Sequence, residues 1–168
     1  MAKKEKETKT NAMRILEKAG VTFTARTYEC GEFVDGLQTA DLLGLPYEMV
    51  YKTLVTVGHS GEYYVFVIPI DRELDLKKAA RSVGEKSVAM IHVKDINRIT
   101  GYIRGGCTAI GMKKQYITRV DSHAGGLEKV FVSGGKIGVQ IELAPDDLVK
   151  VSGAQYADLL AEEAGQEG

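Results

Sequence analysis

Residues 100 to 111 read Thr-Gly-Tyr-Ile-Arg-Gly-Gly-Cys-Thr-Ala-Ile-Gly, four glycines in twelve positions with an arginine and a tyrosine among them. Glycine reaches backbone angles closed to other residues and lets a ligand come close to the main chain. The N–H groups of such a loop can face an anion, or the oxyanion that forms on a carbonyl under attack. A plain glycine-rich turn satisfies the same pattern. Two further stretches carry polar chemistry. Tyr51-Lys52-Thr53 opens a predicted strand. A lysine there acts as a point charge for a phosphate or ribose oxygen, or simply keeps a strand edge soluble. Ser133-Gly134-Gly135-Lys136 presents a hydroxyl and two glycine amides, and equally reads as a hairpin turn.

Most hydrolytic and nucleotide-binding signatures are missing. There is no Gly-x-Ser-x-Gly elbow, no His-Glu-x-x-His and no His-x-Glu paired with Cys-x-x-Cys, which disfavours triad hydrolases, zinc hydrolases and zinc deaminases. No P-loop and no Gly-x-Gly-x-x-Gly after a strand occurs either,. His59, His92 and His123 are scattered, and His59 falls in a predicted turn. Asp146 and Asp147 are adjacent on a predicted helix, so they point to different faces and suit its N-terminal dipole better than an acid/base pair. Cys30 and Cys107 form no metal-ligand spacing,. No metal and no cofactor is expected.

The elements that must carry these residues are short. Of 168 residues, 44% are hydrophobic and 27% charged, ordinary for a soluble globular protein. The two distant cysteines fit a reduced, cytosolic chain, and no run of apolar residues is long enough to span a membrane,. Residues 71–119 carry 11 Lys/Arg against 5 Asp/Glu, while residues 120–168 carry 3 against 9. That asymmetry permits a local anionic partner, or merely marks solvated faces of opposite sign. Residues 1–9 read as a disordered tail, 10–163 as a single domain, and 164–168 as a frayed end,.

Asn11 is the expected cap of a first helix that ends at Gly20. Strands are predicted over Val21 to Tyr28, Val50 to Val57, Glu62 to Ile70, Ser87 to His92, Gln115 to Val120, Lys129 to Val132 and Ile137 to Leu143,. Short helices are predicted at Gln38 to Leu43, after Pro46, after Asp75 to Gly84, at Val93 to Ile99, after Pro145 and at Ala154 to Glu163,. Strands do not alternate with long helices, so the pattern predicts an α+β fold: a mixed, mostly antiparallel, barrel-like sheet with peripheral short helices.

Five stretches, taken in order, resemble the YbaK/prolyl-tRNA synthetase editing-domain family, closest to its free-standing YbaK-type cysteinyl-tRNA deacylases. They are Thr27-Tyr28, Val50 to Leu54, Leu74 to Ala79, Thr100 to Lys114, and Val132 to Gly138 with Ile141-Glu142-Leu143. The resemblance covers about Asn11 to Leu160. It implies hydrolysis of the ester joining a wrong amino acid to the 3′ acceptor end of tRNA, with cysteinyl-tRNA(Pro) as substrate and prolyl-tRNA synthetase as partner. It makes Lys52 essential and places it near the terminal adenosine. It puts Tyr28 and Ser133 at the aminoacyl pocket and assigns Gly101, Gly105 and Gly106 as backbone donors around the carbonyl. Thr53, Tyr102 and Gly134, neighbours in the same motifs, are expected substrate contacts. The implied nucleophile is the substrate's own thiol, so neither Cys30 nor Cys107 is expected to attack.

Three positions depart from the family pattern. Asp35, with Phe33 nearby, stands where many relatives have an aromatic before the glycine matched by Gly36. Thr108-Ala109 replaces a frequent Ser-Pro, and Gln140 replaces an aspartate found in some relatives. Amino-acid specificity is therefore the least constrained expectation. Its alternatives are an alanyl-tRNA(Pro) deacylase of the same fold and a tRNA- or nucleotide-binding module without catalysis.

Overall fold

Alternation along one hairpin sets the layers. The computed structural model describes residues 9–29 and 36–162. Strands β2 (Tyr51–Gly58) and β3 (Tyr63–Pro69) pair antiparallel, from Tyr51 opposite Pro69 to Val57 opposite Tyr63. Side chains point alternately to the two faces of a strand. Tyr64, Phe66 and Ile68 thus pack on one side against Ala79 and Ala80 of helix α3 (Leu76–Val83), while Val67 faces the core between two sheets. The predicted cap holds: the Asp75 carboxylate accepts from the N–H groups of Lys77 and Lys78, at 2.9 and 3.0 Å.

Five strands make the larger sheet, in the order β4 (Val88–Met90), β2, β3, β5 (Ile117–Asp121) and β8 (Gln155–Ala157). The β3–β5 and β5–β8 pairings are parallel. The smaller sheet is wholly antiparallel, with β7 (Val139–Leu143) between β1 (Phe23–Thr27) and β6 (Val130–Ser133). Val130, Val132, Ile141 and Leu143 meet Val67, Val120 and Tyr51 across the shared core, which helix α1 (Asn11–Lys18) closes with Ala12, Met13 and Leu16. A third cluster joins Ala40 of helix α2 (Gly36–Leu43) to Val50, Ile70 and Phe131. The two sheets touch there through a parallel bridge between Val50 and Phe131. They do not close into a barrel. The mixed, mostly antiparallel α+β architecture is the one expected.

Two local expectations fail. Thr10, not Asn11, caps α1, because the Thr10 backbone is extended and its hydroxyl accepts from Met13 N–H at 3.2 Å. The last predicted helix, Ala154 to Glu163, is absent over its described part. Gly153, in the left-handed region at φ +66°, ends helix α5 (Pro145–Ser152), and the chain then pairs with β5 as strand β8. Helix-forming residue types lose here to tertiary contacts. Leu159 is fully buried, its N–H donates to the buried Asp121 carboxylate at 3.1 Å, and its carbonyl accepts from Asp75 N–H. The expected tail and frayed end, apart from Lys9, lie outside the described residues, as do Cys30, Phe33 and Asp35. Among the described residues no helix is long and apolar enough to cross a membrane.

Candidate active site

A cavity of about 190 Å³ opens where the two sheets and α2 meet. Strand β2 supplies Lys52 and Thr53 to its wall, immediately after the Val50 bridge. Lys52 is half-buried, and its ammonium donates to the Ile70 carbonyl at 3.3 Å. Tyr28 extends from β1; its N–H donates to the Gly138 carbonyl at 2.9 Å, which ties it to the β6–β7 turn. Ser133 ends β6, with its hydroxyl accepting from Gly135 N–H at 3.2 Å. Gln140 stands opposite Ser133 on β7 and also lines the cavity.

The glycine loop forms the facing wall. It leaves helix α4 (Ile96–Thr100) at Gly101, whose φ of +86° suits a helix end and whose N–H donates to Asn97 O at 2.8 Å. Its base is laced shut. Lys113 N–H donates to the Thr100 carbonyl at 2.8 Å, and the Tyr102 hydroxyl donates to the Ile110 carbonyl. Its tip is a turn from Ile103 to Gly106, closed by Gly106 N–H to Ile103 O at 2.9 Å, with Gly105 at φ +88°. Only glycine adopts that third turn position cheaply. Arg104, Gly105 and Cys107 line the cavity.

Of the residues singled out in the sequence, the fold thus gathers Tyr28, Lys52, Thr53, Gly105 and Ser133 at one cavity. Gly101, Tyr102, Gly106 and Gly134 stand behind it. The N–H groups of Gly101 and Gly106 are spent inside the chain, and so is that of Gly134, which donates to Val139 O at 2.8 Å. Tyr102 braces the loop, and its partial burial pushes its phenol up to about 12. Sequence reasoning missed Thr39 and Ile70 as lining residues. Thr39 lies on a short helix that carries no motif, and only the three-dimensional docking of α2 brings it to the site.

Among the described residues the cavity's charged lining is cationic. Two cations, Lys52 and Arg104, line it, and no carboxylate among the described residues does. Burial pushes the Cys107 thiol up to about 11, against a smaller opposing effect of the Thr100 hydroxyl. At neutral pH burial therefore leaves it with less thiolate than an exposed cysteine. His123 does not line the cavity; its Nδ1 lies 2.7 Å from the buried Asp121 carboxylate, which also accepts its backbone N–H. Among the described residues no group of three His, Cys, Asp or Glu side chains could hold a metal ion.

The description "Aminoacyl-tRNA editing domain" matches residues 35–151. The chain belongs to this family. The editing-domain match spans Lys52, the glycine loop and Ser133, while Tyr28 precedes it. Over 166 residues the chain is 45% identical to a protein of Enterococcus faecalis named Cys-tRNA(Pro)/Cys-tRNA(Cys) deacylase EbsC, covering 97% of this chain and all of that one. A proline–tRNA ligase of Fervidobacterium nodosum is 33% identical over 96 residues, 57% of this chain and 16% of the ligase. Among solved structures, one described as a trans-editing enzyme for prolyl-tRNA synthetase superposes with a TM-score of 0.76 at 25% identity, covering 91% of this chain and 99% of that one.

Proposed function

We propose that this editing domain deacylates mischarged tRNA in trans, with cysteinyl-tRNA(Pro) as its substrate. The observation that carries the reading is the end-to-end similarity to the deacylase-named relative. The cavity agrees with it: two cations suit the phosphates and ribose of a tRNA 3′ end, and no acid/base pair lines it among the described residues,. An aminoacyl ester is already reactive, so positioning and electrostatic help can suffice.

Lys52 is assigned to the terminal adenosine and Tyr28 and Ser133 to the aminoacyl group. Among the loop glycines, Gly105 is the donor for the ester carbonyl. It lines the cavity, and its N–H makes no hydrogen bond to another described residue, unlike those of Gly101 and Gly106. Those two shape the wall that presents it. The substrate thiol supplies the nucleophile: its thiolate forms a C–S bond to the carbonyl carbon, the C–O bond to the ribose breaks, and the ribose oxygen takes a proton. Water then opens the cyclic thioester. An ordinary thiol pKa of about 8.5 leaves a useful thiolate fraction without a strong base. Prolyl-tRNA synthetase is the proposed partner, since part of this chain recurs inside a proline–tRNA ligase. The proposed compartment, that of its tRNA substrate, is the cytoplasm.

Sulfur-methylated cysteinyl-tRNA(Pro) tests the mechanism. It should resist cleavage, whereas cleavage at the native rate refutes substrate-thiol attack. In this route the half-buried Cys107 thiol is assigned no attacking role. Changing Cys30 and Cys107 to serine together should leave deacylation rates largely intact, and a loss of several orders of magnitude would assign the attack to the protein.

A further inference from the structure

Gln140 occupies the middle strand of the smaller sheet, directly opposite Arg26 on β1 and Ser133 on β6. Val139, Ile141 and Leu143 face the core between the sheets, so alternation turns Gln140 and Glu142 to the opposite face. Gln140 is 5% exposed, and it lines the cavity. Its carboxamide makes no hydrogen bond to any described residue. Because the side chain lines the cavity, a ligand bound there can complete its hydrogen bonding,.

The neighbours explain why it stays open. Arg26, its cross-strand partner, turns to Glu142 at 2.8 Å, and Lys129 joins Glu142 at 3.2 Å. The Ser133 hydroxyl serves Gly135 and the Lys52 ammonium serves Ile70. Thr39 and Arg104 are engaged as well. An ammonium group entering the cavity meets no carboxylate among the described lining residues. The carboxamide oxygen of Gln140 is a neutral acceptor.

We propose that the Gln140 side-chain oxygen accepts a hydrogen bond from the α-ammonium of the aminoacyl group, making Gln140 the residue that selects esters with a free α-amine. This rests on the deacylase reading. N-acylated esters, peptidyl esters among them, replace the ammonium by one neutral amide N–H and so lose the charge-assisted hydrogen bond.

The test compares kcat/KM on cysteinyl-tRNA(Pro) and N-acetyl-cysteinyl-tRNA(Pro) for the wild type, Gln140→Leu and Gln140→Glu, with circular dichroism to confirm folding. The wild type should prefer the free amine by about tenfold or more, as expected of a hydrogen bond to a charged group. Gln140→Leu should lose that preference, mostly through slower cleavage of the free-amine substrate. Gln140→Glu keeps an acceptor of the same length and should keep the preference. If the leucine variant fails to fold, Gln140→Met, closer in length, must show the same loss. An unchanged preference in the folded apolar variant overturns the proposal. Equal cleavage of both substrates by the wild type also overturns it while leaving the deacylase reading standing. Cleavage of neither substrate by the wild type defeats both.

Discussion

Lys52→Ala abolishes deacylation while the protein stays folded: this is the largest single effect expected. The side chain leaves β2 beside the bridge that joins the two sheets, and its ammonium already leans on the Ile70 carbonyl at the cavity wall. Truncation removes a positive charge from the cavity wall. Losing one preorganised electrostatic contact in a reacting site costs on the order of 10²–10³ in rate. The fold should tolerate the change, because Lys52 belongs to none of the three apolar clusters. Lys52→Arg should rescue poorly, since a planar fork does not replace a compact point charge. Single-turnover rates with a circular dichroism control check this, and near-normal turnover by a folded Lys52→Ala would remove Lys52 from the mechanism.

Gly106→Ala is the second large effect, and it acts through shape. A Cβ at this position would lie 3.0–3.1 Å from the backbone of Lys136 and Ile137. Those are main-chain atoms of the turn that follows Ser133, so no flexible side-chain tip can swing aside. The loop and the turn must separate, carrying Gly105 and Ser133 away from each other. The shift needed is a few tenths of an ångström between two walls of the site, and forcing an extra methyl into a tight contact destabilises by about 1–3 kcal/mol. Activity should fall at least tenfold, with a lower melting temperature. Gly126→Ala, where an added Cβ meets nothing within 4 Å, is the control and should match the wild type in both. Equal behaviour of the two variants contradicts this account of how the wall is built.

Much of the fold was legible because the strands obey simple alternation and the turns carry glycine. The β2–β3 hairpin, the Asp75 cap and the Gly84 helix end follow from local residue types. What the sequence hid was decided at a distance. Gln155 to Ala157 look helical and become a strand because β5 offers a free edge and Asp121 waits to accept from Leu159. At the site, motif order brought out Lys52, Tyr28, the loop and Ser133. It did not separate the glycine that lines the cavity, Gly105, from those that shape its wall, Gly101 and Gly106. Nor did it expose Thr39, since nothing in an eight-residue helix tells which surface it will cover. Gln140 stood out as a departure, but its burial without a partner appears only when β7 is placed between its neighbours.

The most direct test of the central claim is a deacylation panel: initial rates for cysteinyl-, alanyl- and seryl-tRNA(Pro) with purified protein, with and without prolyl-tRNA synthetase. The account predicts rapid release from cysteinyl-tRNA(Pro), with the seryl ester, which differs only in its weaker hydroxyl nucleophile, nearly inert. Faster hydrolysis of the alanyl ester, or binding of tRNA without hydrolysis of any ester, would contradict it.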